Sequence, residues 1–354
     1  MPALLEARNL TQVFGSGEGR TVALDNLTLS IDGEVPSFTA VVGESGSGKT
    51  TLARSLLGFL RPTSGQVRYD GKDVYRSSRH DQERFRRDVQ GIFQDPFEVY
   101  NPFYKVDHLL TVPIRSFRLA STRSRARELI EQSLETVGLD PAETLGRYPH
   151  QLSGGQRQRL TVARALLVNP RLIIADEPVS MVDASLRATI LDSLRRLNQD
   201  FGISFIYITH DLTTAYQVSD NIIVLYRGVV AEAGDVEHVI KTPQHPYTQL
   251  LVNSVPQPDP ERAWGGEVRV PEQEESADAI GVGCAFADRC PHAMPICREE
   301  PPPLYRSHAH RGVSCYLYQE AKMTVEGDVS QVFRTPAKPR RAAVGADAAG
   351  RQED

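Results

Sequence analysis

Short apolar runs alternate with amphipathic stretches along most of this chain. Phe38–Val42 reads as a buried strand, and residues 51–60 after it follow a helical pattern. Two more apolar runs, 172–175 and 203–209, have the length of core strands. Between them Leu186, Ile190, Leu194 and Leu197 recur at helical spacing. Residues 222–226 and 229–233 flank Arg227-Gly228 as a hairpin, and Asp70-Gly71 turns the strand at 67–69 into a second one. Thr21–Ile31 alternates in part. Residues 96–165 are mostly helical in pattern; the stretch 126–137, closed by Gly138, is the clearest case. Strands that alternate with helices predict a largely parallel sheet, with the helical block inserted into it.

Composition shifts near residue 255, where Pro, Glu and Asp mark a linker. A small Cys-, Pro- and His-rich unit follows to about 320. The Ala-, Gly- and charge-rich residues from 325 to 354 predict a disordered tail. No internal repeat is visible. The 354 residues are 40% hydrophobic with a formal charge of −5, which argues against dedicated nucleic-acid binding. No apolar run approaches the ~18 residues that a membrane span needs. Residues 1–10 lack the apolar core of a signal peptide. The expectation is a cytoplasmic protein, with any membrane part supplied by other chains.

The turn after Phe38–Val42 carries the chemistry. Gly43-Glu44-Ser45-Gly46-Ser47-Gly48-Lys49-Thr50 matches the phosphate-binding pattern G-x-x-x-x-G-K-[ST] between a strand and a helix. Its glycines let consecutive N–H groups turn inward, Lys49 adds a charge for the outer phosphates, and the Thr50 hydroxyl suits Mg²⁺. Four further features follow in order. Gln94, after Gly91-Ile92-Phe93, has an amide able to meet Mg²⁺ or its water. Leu152-Ser153-Gly154-Gly155-Gln156 opens a helix, with Ser153 as its cap, and forms a second anion site. Asp176 and Glu177 end an apolar strand, where a carboxylate has few structural reasons to be. Asp176 suits the Mg²⁺ shell and Glu177 the polarising of an attacking water; helix capping is the bland alternative. His210 follows the strand at 203–209, within reach of a γ-phosphate by the same logic.

Together these motifs make residues 5–250 resemble the ATP-binding subunits of ABC transporters. The resemblance implies an α/β P-loop NTPase (ABC cassette) with an antiparallel β subdomain, an inserted helical subdomain and a small C-terminal Cys-rich extension. The implied bounds are 1–95 with 166–254 for the nucleotide-binding core, 96–165 for the helical part and 255–324 for the extension. The implied ATP contacts are Phe14, stacked on adenine, then Gly43, Glu44, Ser45, Gly46, Ser47, Gly48, Lys49, Thr50, Thr51 and Asp176. Mg²⁺ falls to Thr50 and Gln94, and hydrolysis to Glu177, His210 and Gln94. Leu152 to Gln156 serve as the signature toward a partner's ATP. Asp183, in Ser180-Met181-Val182-Asp183, is kept although that loop departs from the commoner Ser-Ala-Leu-Asp.

Thr242-Pro243-Gln244-His245-Pro246-Tyr247-Thr248 and the late cysteines look like the oligopeptide/dipeptide/nickel branch. In that branch Cys284, Cys290, Cys297 and Cys315 hold a [4Fe-4S] cluster. The residues alone agree in part: C-x5-C-x6-C-x17-C lacks the C-x2-C pair of a zinc ribbon, and four thiolates suit an iron–sulfur cluster. Zinc and free thiols stay open, and so small a unit is expected to need a metal staple to fold. The implied partners are a second ATP-binding chain (a non-identical sister), two integral membrane permease subunits and an extracytoplasmic solute-binding protein. The implied place is the cytoplasmic face of the membrane, peripherally, with import of oligopeptides or related solutes driven by ATP-dependent dimerisation. A soluble or accessory ABC ATPase not coupled to transport is the alternative.

Overall fold

The computed structural model describes residues 3–94, 100–255, 282–324 and 327–335. The turn at Asp95-Pro96, the linker at 256–281 and the last residues, 336–354, lie outside the described residues. The strands, in chain order, are β1 Leu5–Phe14, β2 Thr21–Ile31, β3 Phe38–Val42, β4 Ser64–Tyr69, β5 Lys72–Asp73, β6 Val89–Ile92 and β7 Leu172–Asp176. Then come β8 Ser204–Thr209, β9 Asn221–Tyr226, β10 Val229–Asp235, β11 Tyr305–His308, β12 Arg311–Val313 and β13 Lys322–Met323. The described residues group into two compact units. One takes Met1–Asp32, Thr39–Arg76 and Ile208–Thr335; the other takes Gly33–Phe38 and Ser77–Tyr207.

The first unit contains an antiparallel sheet in the order β2-β1-β4-β5. Here β1 is bulged: its register against β2 shifts after Ala7, and Asn9 is left-handed at φ 48°. Its remaining strands run β13-β11-β12-β10-β9-β3. β3 lies parallel to β9, with Thr39 opposite Asn221 and Val42 opposite Val224. Both strands are buried on both faces, as unbroken apolar runs require. Both expected hairpins form, and both central residues of each have positive φ: Asp70 and Gly71 at 49° and 77°, Arg227 and Gly228 at 46° and 81°. That is the primed turn whose twist matches the flanking strands.

Two findings depart from expectation. The Cys-rich unit is not held together by its cysteines alone. β12 pairs antiparallel with β10, placing Val313 opposite Glu232, and β11 and β13 continue the sheet outward. Strands of four, three and two residues carry almost no pattern of their own; the edge of β10 organises them. The disorder expected from 325 onward does not hold for 327–335. Val329 and Val332 are fully buried, the Ser330 hydroxyl bonds that of Ser30, and Asn221 exchanges hydrogen bonds with the backbone of Arg334.

In the second unit β6 and β7 run parallel, from Val89 opposite Leu172 to Ile92 opposite Ala175, and β8 flanks β7. Phe38 stacks on Phe205 with ring centroids 4.8 Å apart. The helix Gly154–Leu166 packs on Val106–Ser116, Arg123–Thr136, β6 and Ala184–Phe201. That one helix thus touches both the helical block and strand β6.

Candidate nucleotide site

In the first unit the phosphate loop leaves the end of β3 and runs into the helix Lys49–Leu56. That helix ends at Leu56, short of the expected residue 60. Gly43, Gly46 and Gly48 all have positive φ, at 154°, 78° and 99°. A Cβ on Gly48 would lie 2.2 Å from the Ala23 carbonyl oxygen, and one on Gly43 equally close to that of Leu225. Glycine is therefore forced there by neighbouring backbone as well as by conformation. Lys49 is buried, with only 7% of its surface exposed. Its ammonium donates to the carbonyls of Gly43 (2.8 Å) and Glu44 (2.7 Å) and to Ser47 Oγ (3.3 Å). The lysine thus braces the loop it belongs to. Glu44, Ser45, Gly46 and Thr50 are exposed, with Thr51 half-buried. Phe14, at the end of β1, is 43% exposed. His210 is exposed just past β8, and the adjacent Asp211 caps the helix Leu212–Val218 by accepting from Thr213 and Thr214 N–H.

Three supports of the loop come from far along the chain and were not legible in its motif. Gly228 N–H donates to the Ser47 carbonyl at 3.0 Å. Glu44 N–H donates to the Tyr247 hydroxyl at 2.9 Å. Arg289 pairs with the Glu44 carboxylate at 3.1 Å. Tyr247 lies in the His245-Pro246-Tyr247 motif, the one signal that could have pointed to such a role. Burial raises its phenol well above the usual range, so it stays protonated.

The second unit carries the other motif residues. β7 is buried throughout and delivers Asp176 at its end. Glu177, next along, adopts φ 47°, a left-handed conformation uncommon for glutamate, and its carbonyl accepts from Ser180 N–H and Oγ. Ser153 caps the helix Gly154–Leu166 reciprocally: Gln156 N–H donates to Ser153 Oγ (3.2 Å) and Ser153 N–H to Gln156 Oε1 (2.9 Å). Leu152 is buried beneath it. Gly155 closely approaches Leu186; a Cβ there would come within 2.9 Å of its Cδ1. The helix of the Asp183 loop thus sets the seat of the signature helix. Asp183 is exposed and precedes the helix Ala184–Phe201 without a side-chain capping bond. Gln94 is exposed two residues beyond β6. Within this unit the structure brings Gly154 and Gly155 against the Met181–Leu186 segment.

The four cysteines also converge. Cys284, Cys290, Cys297 and Cys315 line one cavity of about 10 Å³, and Cys297 belongs to a small core with Ala287, Tyr305 and Tyr316. Burial pushes Cys315 up to about 11 and raises Cys284 and Cys290 as well. As free thiols, Cys284, Cys290 and Cys315 are therefore held toward the protonated form. Among the described residues no group of three or more His, Cys, Asp or Glu stands in metal-holding geometry. None of the described helices is long and apolar enough to cross a membrane.

Residues 24–180 match the ABC transporter family, and residues 231–297 match the oligopeptide/dipeptide transporter C-terminal region. The oligopeptide transport ATP-binding protein OppF of Salmonella typhimurium is 38% identical over 323 residues, spanning 88% of this chain and 95% of that protein. The di/tripeptide transport ATP-binding protein DppF of Pseudomonas aeruginosa is 37% identical over 324 residues, 89% of this chain and 98% of that protein. Among solved structures, the dimeric ATP-binding cassette MJ0796 in a post-hydrolysis state with ADP and Pi is 29% identical. It superposes with a TM-score of 0.58, covering 66% of this chain and 98% of its own. With relatives 37–38% identical over 88–89% of its length and the cassette family matched at 24–180, this chain belongs to the ABC transporter family and is an ATP-hydrolysing member of it.

Proposed function

We propose that this chain is the ATP-hydrolysing subunit of a membrane importer for oligopeptides or related solutes. The C-terminal match at 231–297 carries this reading, because that region is described from oligopeptide and dipeptide transporters and reaches well past the family match at 24–180. In the proposed mechanism two cassettes close head to tail around ATP. The loop at 43–50 and Phe14 bind the nucleotide, and Ser153, Gly154 and Gly155 meet the γ-phosphate held by the other chain. By the family resemblance Thr50 and Gln94 would be ligands of Mg²⁺ and Asp176 would serve its water shell; the ion would neutralise phosphate charge. Glu177 orients the attacking water, His210 contacts the γ-phosphate, and Asp183 lies on the dimer seam. Loss of the γ-phosphate removes bonds that span both chains, so the closed state loses its preference. A non-identical sister cassette, two permease chains and a solute-binding protein complete the assembly, with this subunit peripheral at the cytoplasmic face.

We propose an iron–sulfur site on donor chemistry alone: Cys284, Cys290, Cys297 and Cys315 line one cavity whose lining includes no carboxylate, and as placed they fall short of metal-holding geometry. When bound, the cluster supplies a covalent staple between the segments at 284–297 and 315. Iron and acid-labile sulfide assays on anaerobically purified protein test it; zinc without sulfide, or neither, would refute it.

Capture of the full chain from its native membrane tests the transport reading. Two integral membrane chains and a second cassette should copurify, and peptide presented with its binding protein should stimulate ATP hydrolysis. Recovery with ribosomes or DNA and no membrane chain would overturn it.

A further inference from the structure

The phosphate loop is gripped at one residue from two directions, and both grips lie outside the cassette motifs. The Glu44 carboxylate receives Arg289 twice over: Nη1 lies 3.1 Å from Oε2 and 3.3 Å from Oε1, and Nη2 lies 3.3 Å from Oε1. The Glu44 backbone N–H donates to Tyr247. A bidentate guanidinium–carboxylate pair fixes orientation as well as distance. The Arg289 side chain is only 14% exposed. Its guanidinium carbon stands 5.8 Å from the Tyr226 ring centre and 5.6 Å from that of Phe286. Tyr226, Tyr247 and Phe286 pack against one another, with centroids 4.5, 5.2 and 5.6 Å apart. Arg289 itself sits on the short turn Ala287–Arg289, tied at its start by Ala287 N–H to the Cys284 carbonyl and at its end by Cys290 N–H to the Ala287 carbonyl.

We propose that Arg289 of the C-terminal extension, together with Tyr247 at the end of the core, positions the phosphate loop. Arg289 holds the side chain of Glu44 and Tyr247 its backbone, so the entry of the loop is set before the triphosphate arrives. Arg289 and Tyr247 are positioning residues, touching the loop and not the nucleotide. A preset loop loses less conformational freedom when it binds, so the clamp acts on affinity and leaves the chemical step alone.

The test is a double-mutant cycle on the full chain, read by binding of methylanthraniloyl-ATP with Mg²⁺ and by the KM and kcat of ATP hydrolysis. Arg289→Ala and Glu44→Gln should each weaken nucleotide binding by about three- to tenfold, as a partly buried charge pair warrants. The double variant should be no weaker than the single ones, and Arg289→Lys should recover part of the loss. In Arg289→Ala, KM should rise while kcat at saturating ATP stays within about twofold of the parent, a split that general destabilisation does not produce. Parental affinity in Arg289→Ala, or losses that multiply in the double variant, would overturn the proposal. If Arg289→Ala melts well below the parent, Tyr247→Phe decides. It keeps the ring and removes only the acceptor for Glu44 N–H, and parental affinity there would equally overturn the clamp.

Discussion

Replacing Glu232 with glutamine should make this protein less sensitive to alkaline pH. Glu232 lies on β10 with none of its surface exposed. Its carboxylate accepts from the N–H groups of Gln244 (3.1 Å) and His245 (2.9 Å), so it anchors the start of the segment that presents Tyr247. Arg311 is near, but its Nε stands 3.9 Å from Glu232 Oε1 while its terminal nitrogens donate to the carbonyls of Thr242 and His238. Burial therefore wins over these favourable partners and pushes the carboxyl up to about 7 from an ordinary 4.5. The folded chain holds a proton over that interval which the unfolded chain has released, so this group's contribution is full below 4.5 and is lost as pH rises through 7. At about 1.4 kcal/mol per pH unit, the loss is on the order of 3 kcal/mol. His245 titrates with the opposite sign. Burial pulls its imidazole down to about 4, so its contribution grows from pH 4 to 6.5. It is present in both chains and cancels in their difference. The assay is unfolding of parent and Glu232→Gln at steps from pH 5 to 8.5. Any fixed cost of leaving Arg311 without a carboxylate shifts the whole curve, so the slope is the readout. The variant should gain on the parent by up to about 3 kcal/mol across the range. A difference that stays flat, or that shrinks with rising pH, would refute the argument.

Lys49→Ala should weaken ATP binding by at least about tenfold, since the buried ammonium braces the loop and, in the proposed mechanism, meets the outer phosphates; an unchanged Kd in a binding titration would refute that role. Glu177→Gln should retain ATP and slow its hydrolysis by about 10²–10⁴-fold, measured as phosphate release. Turnover at the parental rate would remove Glu177 from the mechanism. Gly48→Ala should abolish nucleotide binding and lower the melting temperature, because φ is 99° and the new methyl would meet the Ala23 carbonyl at 2.2 Å. Normal binding by that variant would show that the loop tolerates another path.

The elements that carry the candidate site residues were largely legible in the sequence because they are local. A loop of eight residues between one strand and one helix, a capped helix start and two acids ending an apolar run each declare themselves within a few positions. β3, β7 and both primed hairpins were legible for the same reason. β1 was harder, since the bulge at Asn9 breaks the alternation that marks a strand. β11, β12 and β13 were invisible because pairing with β10, and not their own two to four residues, makes them strands. The hold of Arg289 on Glu44 could not be read either: 245 positions separate the two, and an arginine beside a cysteine looks like any surface charge. The burial of Val329 and Val332 shows the converse error, in which a polar, glycine-rich composition hid two anchoring side chains.

The distance between the phosphate loop and its supports bears on how the chain is made. Gly228, Tyr247 and Arg289 are translated long after residues 43–50 have left the ribosome. Contacts of such separation form late in folding. A growing polypeptide would carry a recognisable but unbraced loop for most of its synthesis, and so would hold nucleotide less tightly until the supports arrive. We predict that stalled nascent chains ending before residue 283 are poorly retained on immobilised ATP, whereas those that have released residue 335 are retained. Equal retention of both would show that the early segment matures unaided.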